Sequence, residues 1–116
     1  MARKGYIKLY RQVIDDDIWT DPAKFKLWTL CLMKASHKPQ KVVVGNSIIE
    51  LKPGQFVTGR DELASEFNRG SKKKDLVTGV SLYKWLEIFQ KTKKLYIEKT
   101  TKYTVITVLN WDKYQQ

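Results

Sequence analysis

The chain has 116 residues, 42% of them hydrophobic and 12% aromatic, and its 22 lysines and arginines against 12 acidic residues give a net charge of +10. This length is enough to close one core without disulfides or a structural metal, and the composition excludes a disordered protein. No apolar run approaches the roughly 18 residues that a membrane span needs. Cys31 and His37 are each the only residue of their type, which excludes a disulfide framework and a Cys/His metal cluster. We therefore expect one domain over residues 1–116, with no cofactor, no metal and no membrane partner.

The start of the chain predicts the compartment. The first five residues are basic, but Lys8, Arg11 and Asp15 interrupt the segment that follows, so no apolar signal core forms. A single cysteine fits a reducing environment. The sequence therefore predicts a cytoplasmic protein.

The positive charge is concentrated in one stretch. Residues 68–102 contain ten lysines and arginines against three acidic residues, a net charge of +7 in under a third of the chain. A basic surface of this kind is typical of proteins that bind polyanions, nucleic acids above all.

The first 20 residues give no clear element. Residues 6–10 alternate weakly as in a short strand, whereas Leu9, Val13, Ile14 and Ile18 suit helical turns better, and both alternatives stay open. The aspartates at 15–17 would point in different directions on either element. We interpret them as a solvated turn rather than a metal site.

The first clear helix begins at Asp21, a typical N-cap, followed by Pro22 at the first helical position. Its apolar stripe is expected to face the core. Cys31 lies within that stripe and is interpreted as a small core residue rather than a reactive thiol. His37 is placed at the helix end. The stripe consists of Phe25, Leu27, Trp28, Leu30, Cys31, Leu32 and Ala35.

Three short strands are expected next, over residues 42–44, 48–51 and 56–58, with a type II turn at 52–55 before the third. A second helix is predicted from Arg60 to Phe67, opened by Thr58 or Gly59 and ended by residues 68–70. The segment 71–75 has no apolar period and predicts a basic loop.

A third helix is expected from the N-cap Thr78 to about Lys91. Its predicted inward face consists of Val80, Leu82, Trp85, Leu86 and Phe89. Its predicted outward face consists of Gly79, Ser81, Tyr83, Lys84 and Glu87. Two β-branched runs follow, at 95–98 and 103–109, and residues 99–102 join them as a hairpin with a cationic tip.

This order of elements predicts an α+β fold of the winged helix-turn-helix type, with three main helices, a small antiparallel sheet and a C-terminal wing hairpin. In such a fold the last helix enters the major groove of double-stranded DNA and the wing contacts the backbone or the minor groove. Residues on the outward face of helix 78–91 would read bases, with Gly79 allowing close backbone approach, and the surrounding cations, Lys93 and Lys94 included, would contact phosphates. The predicted principal DNA contacts are Arg69, Lys72, Lys73, Lys74, Thr78, Gly79, Ser81, Tyr83, Lys84, Lys91, Lys99 and Lys102.

Enzymatic function is not expected. The sequence has no phosphate-binding loop of the G-x-x-x-x-G-K-[ST] type, no G-x-S-x-G nucleophile elbow and no H-E-x-x-H zinc motif. It also has no second histidine to serve as a general base.

Four segments carry a resemblance to a known family. They are Gly5 to Tyr10 with Trp19, Leu51 to Arg60 (LKPGQFVTGR), Phe67 to Gly70 (FNRG) and Lys102 to Gln115 (KYTVITVLNWDKYQ). With them the chain resembles, over nearly its whole length, the N-terminal winged-helix domain of phage replication proteins from low-GC Gram-positive hosts, akin to replisome organisers and DnaD-like primosomal proteins. The resemblance implies a role in starting phage or prophage DNA replication in a bacterial cell. It also implies helicase-loading proteins of the host or phage as partners, and leaves a homodimer open.

Two other functions remain as alternatives. Winged helices also serve transcriptional regulators, because fold alone does not settle function. A DnaD-like module for protein interaction or oligomerisation, without DNA readout, is the other.

Overall fold

The structure, a computed structural model, describes residues 5–116. Its α-helices are α1 (Pro22–Lys34), α2 (Arg60–Phe67), α3 (Gly79–Lys91) and α4 (Trp111–Gln115). Its strands are β1 (Gln40–Val44), β2 (Ser47–Leu51), β3 (Gln55–Thr58), β4 (Leu95–Lys99) and β5 (Thr104–Val108). Short 3₁₀ helices cover Arg11–Asp15, Asp17–Thr20 and Lys73–Asp75. The predicted α+β class is therefore confirmed, and no helix within residues 5–116 is long and apolar enough to cross a bilayer.

Helix α1 begins where the sequence predicts. The Asp21 carboxylate accepts a hydrogen bond from the Lys24 amide at 3.2 Å, and Pro22 occupies the first turn, where no amide donor is needed. Leu27 and Cys31 are fully buried against the core. Burial raises the pKa of the Cys31 thiol to about 12, so the interpretation of Cys31 as a core residue is confirmed.

A three-stranded antiparallel sheet forms in the order β3-β5-β4. Strand β3 lies between α1 and α2 in sequence, yet it pairs with the last strand of the chain, with Phe56 opposite Ile106. Ile106 also lies opposite Ile97 of β4. Residues alternate between buried and partly exposed along β5, as expected for a strand with one face on the core. The predicted hairpin of β4 and β5 is confirmed.

Strands β1 and β2 form a separate two-stranded hairpin. All three strands predicted in this region exist, but only the third joins the main sheet. Val43 lies opposite Ile48, and their exposed fractions are 72% and 69%. This hairpin therefore presents apolar side chains to solvent.

The turn between β2 and β3 has the predicted type II form, with the Gln55 amide bonded to the Lys52 carbonyl at 3.1 Å and Gly54 at φ 89°. Gly54 is also required for packing, because a Cβ there would lie 2.8 Å from the Trp111 Cβ. Trp111 opens α4, a helix that the sequence analysis did not predict. The same helix fixes the N-terminal segment through the side-chain carboxamide of Gln115. This group accepts a hydrogen bond from the Lys8 amide and donates one to the Lys8 carbonyl, both at 2.8 Å.

Neither alternative holds for residues 6–10, which have no regular structure, whereas Val13, Ile14 and Ile18 lie in 3₁₀ helices and confirm the helical turns expected there. The interpretation of residues 15–17 as a solvated turn is wrong for Asp16. Its carboxylate accepts a hydrogen bond from the Ile18 amide at 3.1 Å and pairs with Lys94 at 3.1 Å. The ion pair fixes this segment to the connection between α3 and β4.

We expect the Cys31 thiol to resist alkylation in the folded protein. Thiolates react and thiols do not, and the raised pKa keeps this thiol protonated at pH 8. Labelling with iodoacetamide, followed by mass spectrometry, should be slow in buffer and rapid in denaturing urea, where the pKa returns to its ordinary value of 9.0. Equally rapid labelling under both conditions would show that α1 does not bury this residue.

Candidate nucleic-acid interface

The connection between α2 and α3 is fixed by one side chain. The Asn68 carboxamide donates to the Val77 carbonyl at 2.7 Å and accepts from the Val77 amide at 2.9 Å. These two bonds join the residue after α2, three positions before the basic loop 71–75, to a residue two positions after that loop. Lys72, Lys73 and Lys74 are exposed on this loop, so they project from a segment whose two ends are held together.

The start of α3 is capped as the sequence predicts. The Thr78 hydroxyl accepts a hydrogen bond from the Ser81 amide at 3.2 Å and lies 3.1 Å from the Ser81 hydroxyl. Thr78 is exposed and Ser81 is half-buried. Both hydroxyls are thus engaged with each other at the helix N-terminus.

Gly79, predicted to let DNA approach the helix closely, packs against α2. A Cβ at this position would lie 2.8 Å from the Arg60 carbonyl oxygen and would also collide with the Arg60 side chain. The missing side chain therefore lets the first turn of α3 pack directly on the first turn of α2. Contact with Arg60 is therefore sufficient to require a glycine here, and the predicted approach of DNA to this residue stays a prediction.

The outward face of α3 differs from the predicted one. The buried residues are Leu82, Tyr83, Leu86 and Phe89. Val80, predicted to face inward, is 48% exposed, and Trp85 is only partly buried, against the Phe67 ring. The exposed residues recur at three- and four-residue spacing and form one stripe, called here the outward stripe: Val80, Lys84, Glu87, Ile88 and Lys91.

Tyr83 is a structural residue, and its predicted outward placement is wrong. Its hydroxyl lies 2.9 Å from the Thr104 hydroxyl of β5 in a buried hydrogen bond. The Lys99 Nζ lies 5.3 Å from the ring centroid and the Arg60 Cζ 5.8 Å, both within the range of a cation–π interaction. Tyr83 is 9% exposed, so it joins α3 to the β4–β5 hairpin and cannot contact a base.

The β4–β5 hairpin lies against α3. The Gln90 side chain accepts a hydrogen bond from the Ile97 amide at 2.7 Å, and Lys99 pairs with Glu87 at 3.6 Å. Lys99 was predicted as a cation of the hairpin tip, but it ends β4 and faces the helix. The turn itself is closed by the Thr100 hydroxyl, which accepts from the amide of Lys102 at 3.2 Å and leaves that lysine exposed.

The cations of this surface are mostly without ion pairs. Among residues 5–116, Lys99 is the only predicted principal DNA contact found in a salt bridge, and of the two supplementary phosphate contacts Lys94 is paired with Asp16. Among the predicted DNA contacts, those that are exposed and have no ion pair within these residues lie on the basic loop and its flank, on the outward stripe, just after α3 and at the hairpin turn: Arg69, Lys72, Lys73, Lys74, Lys84, Lys91, Lys93 and Lys102. Positive charges thus outnumber the exposed acidic residues, Asp75 and Glu87, on the loop and the stripe.

No group of three His, Cys, Asp or Glu side chains that could hold a metal ion occurs in the described part of the chain. Comparison with protein-family models, with curated proteins and with solved structures gives no match.

We expect Tyr83→Phe to lower the free energy of unfolding by about 1–2 kcal/mol, because it leaves the buried Thr104 hydroxyl without its partner. Urea denaturation followed by tryptophan fluorescence measures the change. Tyr96→Phe is the matched control, since Tyr96 lies on β4 with 52% of its surface exposed. Equal stability of both variants would contradict the assigned role of Tyr83.

We expect Gly79→Ala to destabilise the protein although alanine favours helix, because the added methyl group meets the Arg60 carbonyl. A loss of about 1–3 kcal/mol is typical of such overpacking. Gly59→Ala is the control, because it replaces a glycine by alanine where the added Cβ meets nothing within 4 Å. Thermal melting of the two variants should separate them, and a Gly79→Ala protein as stable as the parent would show that α2 and α3 can move apart.

Proposed function

We propose that this chain is a winged helix-turn-helix protein that binds double-stranded DNA, with α3 in the major groove and the β4–β5 hairpin as its wing. The observation that carries the proposal is the pairing of β3 with β5. It brings the strand between α1 and α2 into one sheet with the hairpin after α3, which is the arrangement expected of a winged helix. The α2–loop–α3 segment then supplies the helix-turn-helix.

Electrostatics supports a polyanionic partner. Seven exposed cations without ion pairs within residues 5–116 lie on the loop, the outward stripe and the hairpin turn. Glu87 is the acidic residue on the outward stripe, and Lys99 neutralises it in part. Mobile lysines around a protruding helix are suited to phosphate contacts, which position a protein on DNA without reading its sequence.

Base reading rests on few side chains. Thr78 and Ser81 are engaged in capping, Gly79 packs on α2 and Tyr83 is buried, so four of the predicted base contacts have other roles. Lys84 is the charged residue in the first two turns of the outward stripe. A lysine can reach the O6 and N7 acceptors of guanine in the major groove.

We further propose, from the family resemblance of the sequence, a role in initiating phage or prophage DNA replication. Two of the resembling segments contain complete structural elements: residues 51–60 run from the end of β2 through the turn and β3 to the start of α2, and residues 102–115 include β5 and α4. Sequencing of genomic fragments bound by the protein separates this role from transcriptional regulation. Clustered direct repeats would favour an initiator, and a palindrome beside the protein's own gene would favour a regulator.

The β1–β2 hairpin favours self-association as a second candidate function. Val43 and Ile48 form an exposed apolar pair on it, and no other element contributes to their two-stranded sheet. Isolated hairpins of this kind are only marginally stable in water. Sedimentation analysis of Val43→Thr with Ile48→Thr would reveal a dimer that depends on this surface.

The DNA-binding proposal is tested by the salt dependence of affinity. The triple substitution of Lys72, Lys73 and Lys74 by alanine should weaken binding to every duplex and reduce the log–log salt slope by up to about three, since each lost phosphate contact removes about 0.9. Fluorescence anisotropy titrations at several salt concentrations measure both quantities.

The matched control replaces Lys38, Lys52 and Lys113, three exposed lysines on other elements, and changes the net charge by the same amount. A smaller effect is expected, because these lysines lie outside the loop, the stripe and the hairpin turn. Equal losses in both triple variants would contradict the assigned interface. Absence of salt-dependent duplex binding in the parent protein would contradict the function itself.

A further inference from the structure

The outward stripe of α3 contains an apolar side chain in its first turn. Val80 is 48% exposed, four residues before Lys84 and two residues after the capping Thr78. Valine is a poor helix former, because its branched Cβ restricts the side chain against the preceding turn. At this exposed position, valine therefore neither favours the helix nor gains full burial in the core.

Positive charges lie before and after Val80 along the chain. Lys84 follows it on the same stripe, and the exposed lysines 72–74 lie on the loop that leads into the helix, where Leu76 is also 53% exposed. An exposed apolar side chain between positively charged segments is suited to a polyanion that also presents an apolar group. Within the major groove, the apolar group that a base pair presents is the C5 methyl of thymine.

We propose that Val80 contacts a thymine methyl group in the major groove and thereby helps to determine sequence preference. This inference rests on the DNA-binding function proposed above. The first turns of a recognition helix are the part that reaches base edges, and Val80 is the exposed apolar residue of the first turn of α3.

Helix geometry adds a spacing to the proposal. Val80 and Lys84 are four residues apart, which is about 6 Å along a helix axis. With about 3.4 Å between base pairs, the two side chains reach positions about two base pairs apart. The preferred site should therefore contain a thymine about two base pairs from a guanine that Lys84 contacts.

The test begins with selection of duplexes from a random-sequence pool by the full chain. Each thymine of the enriched sequence is then replaced, one at a time, by deoxyuridine, which lacks only the methyl group. We expect one position at which this change weakens binding by the parent protein about fourfold, the value for one buried methyl-sized group. Val80→Ala should bind the thymine and uracil duplexes equally.

Ile88→Ala is the matched control. Ile88 lies on the same stripe and is 42% exposed, but it is two turns further along α3, where recognition helices seldom reach bases. This variant should keep the fourfold preference for thymine. Thermal melting shows whether both variants fold, and alanine is the better helix former at either position.

Three results would overturn the proposal while leaving DNA binding intact. They are indifference of the parent protein to every uracil, a Val80→Ala variant that keeps the preference, and salt-dependent binding without any enriched sequence. Loss of self-association in Val80→Ala, seen by sedimentation, would assign the residue to a contact between copies. Failure of the parent protein to bind any duplex would refute the DNA-binding function as well.

Discussion

The pairing of β3 with β5 is the contact on which the rest of the structure depends. It joins residues about 50 positions apart in the chain, with Phe56 and Ile106 opposite each other and both buried. Since β4 pairs with the other edge of β5, this one register places the whole hairpin. Tyr83 and Gln90 of α3 contact this hairpin through hydrogen bonds to Thr104 and Ile97. The sheet and α3 thus hold the hairpin turn in place relative to the helix. Loss of this pairing would leave the hairpin attached to α3 alone, through Tyr83 and Gln90, and would detach it from the strand that precedes α2.

Tyr83 and Asn68 convert that arrangement into a surface of defined shape. Tyr83 joins α3 to β5 through Thr104, and Asn68 joins the segments on either side of the basic loop through the Val77 backbone. Gly79 removes the side chain that would hold α2 and α3 apart. A site held by such supporting contacts loses little conformational entropy when a ligand binds. Under the proposed function, these three residues would therefore affect affinity through geometry, without contacting the nucleic acid.

Local signals in the sequence predicted where the helices and strands lie. Which side of α3 is buried depends on tertiary contacts, and that could not be predicted in full. Asp21 and Thr78 marked two helix starts because a cap is a property of three or four neighbouring residues. Tyr83 could not be placed in the same way, since an amphipathic ring is buried only where a partner such as Thr104 satisfies its hydroxyl. The packing of Gly79 on α2 could not be predicted, because its neighbour Arg60 is 19 residues away in sequence. Helix α4 has five residues, too few for an apolar period to appear.

Glu87, the single acidic residue of the outward stripe, weakens the attraction that the hairpin lysines exert on a distant polyanion, because it forms an ion pair with Lys99. Glu87 and Lys99 lie 3.6 Å apart with about half of each side chain exposed, so their attraction is screened and is worth little. A paired positive and negative charge also produces a field that falls off faster with distance than that of a lone charge. Lys102, exposed at the turn and without an ion pair within residues 5–116, therefore contributes more to long-range attraction than Lys99 does. Because the pair is weak, however, Lys99 can exchange the Glu87 carboxylate for a phosphate at short range. The hairpin would thus attract a polyanion with one lysine and contact it with two.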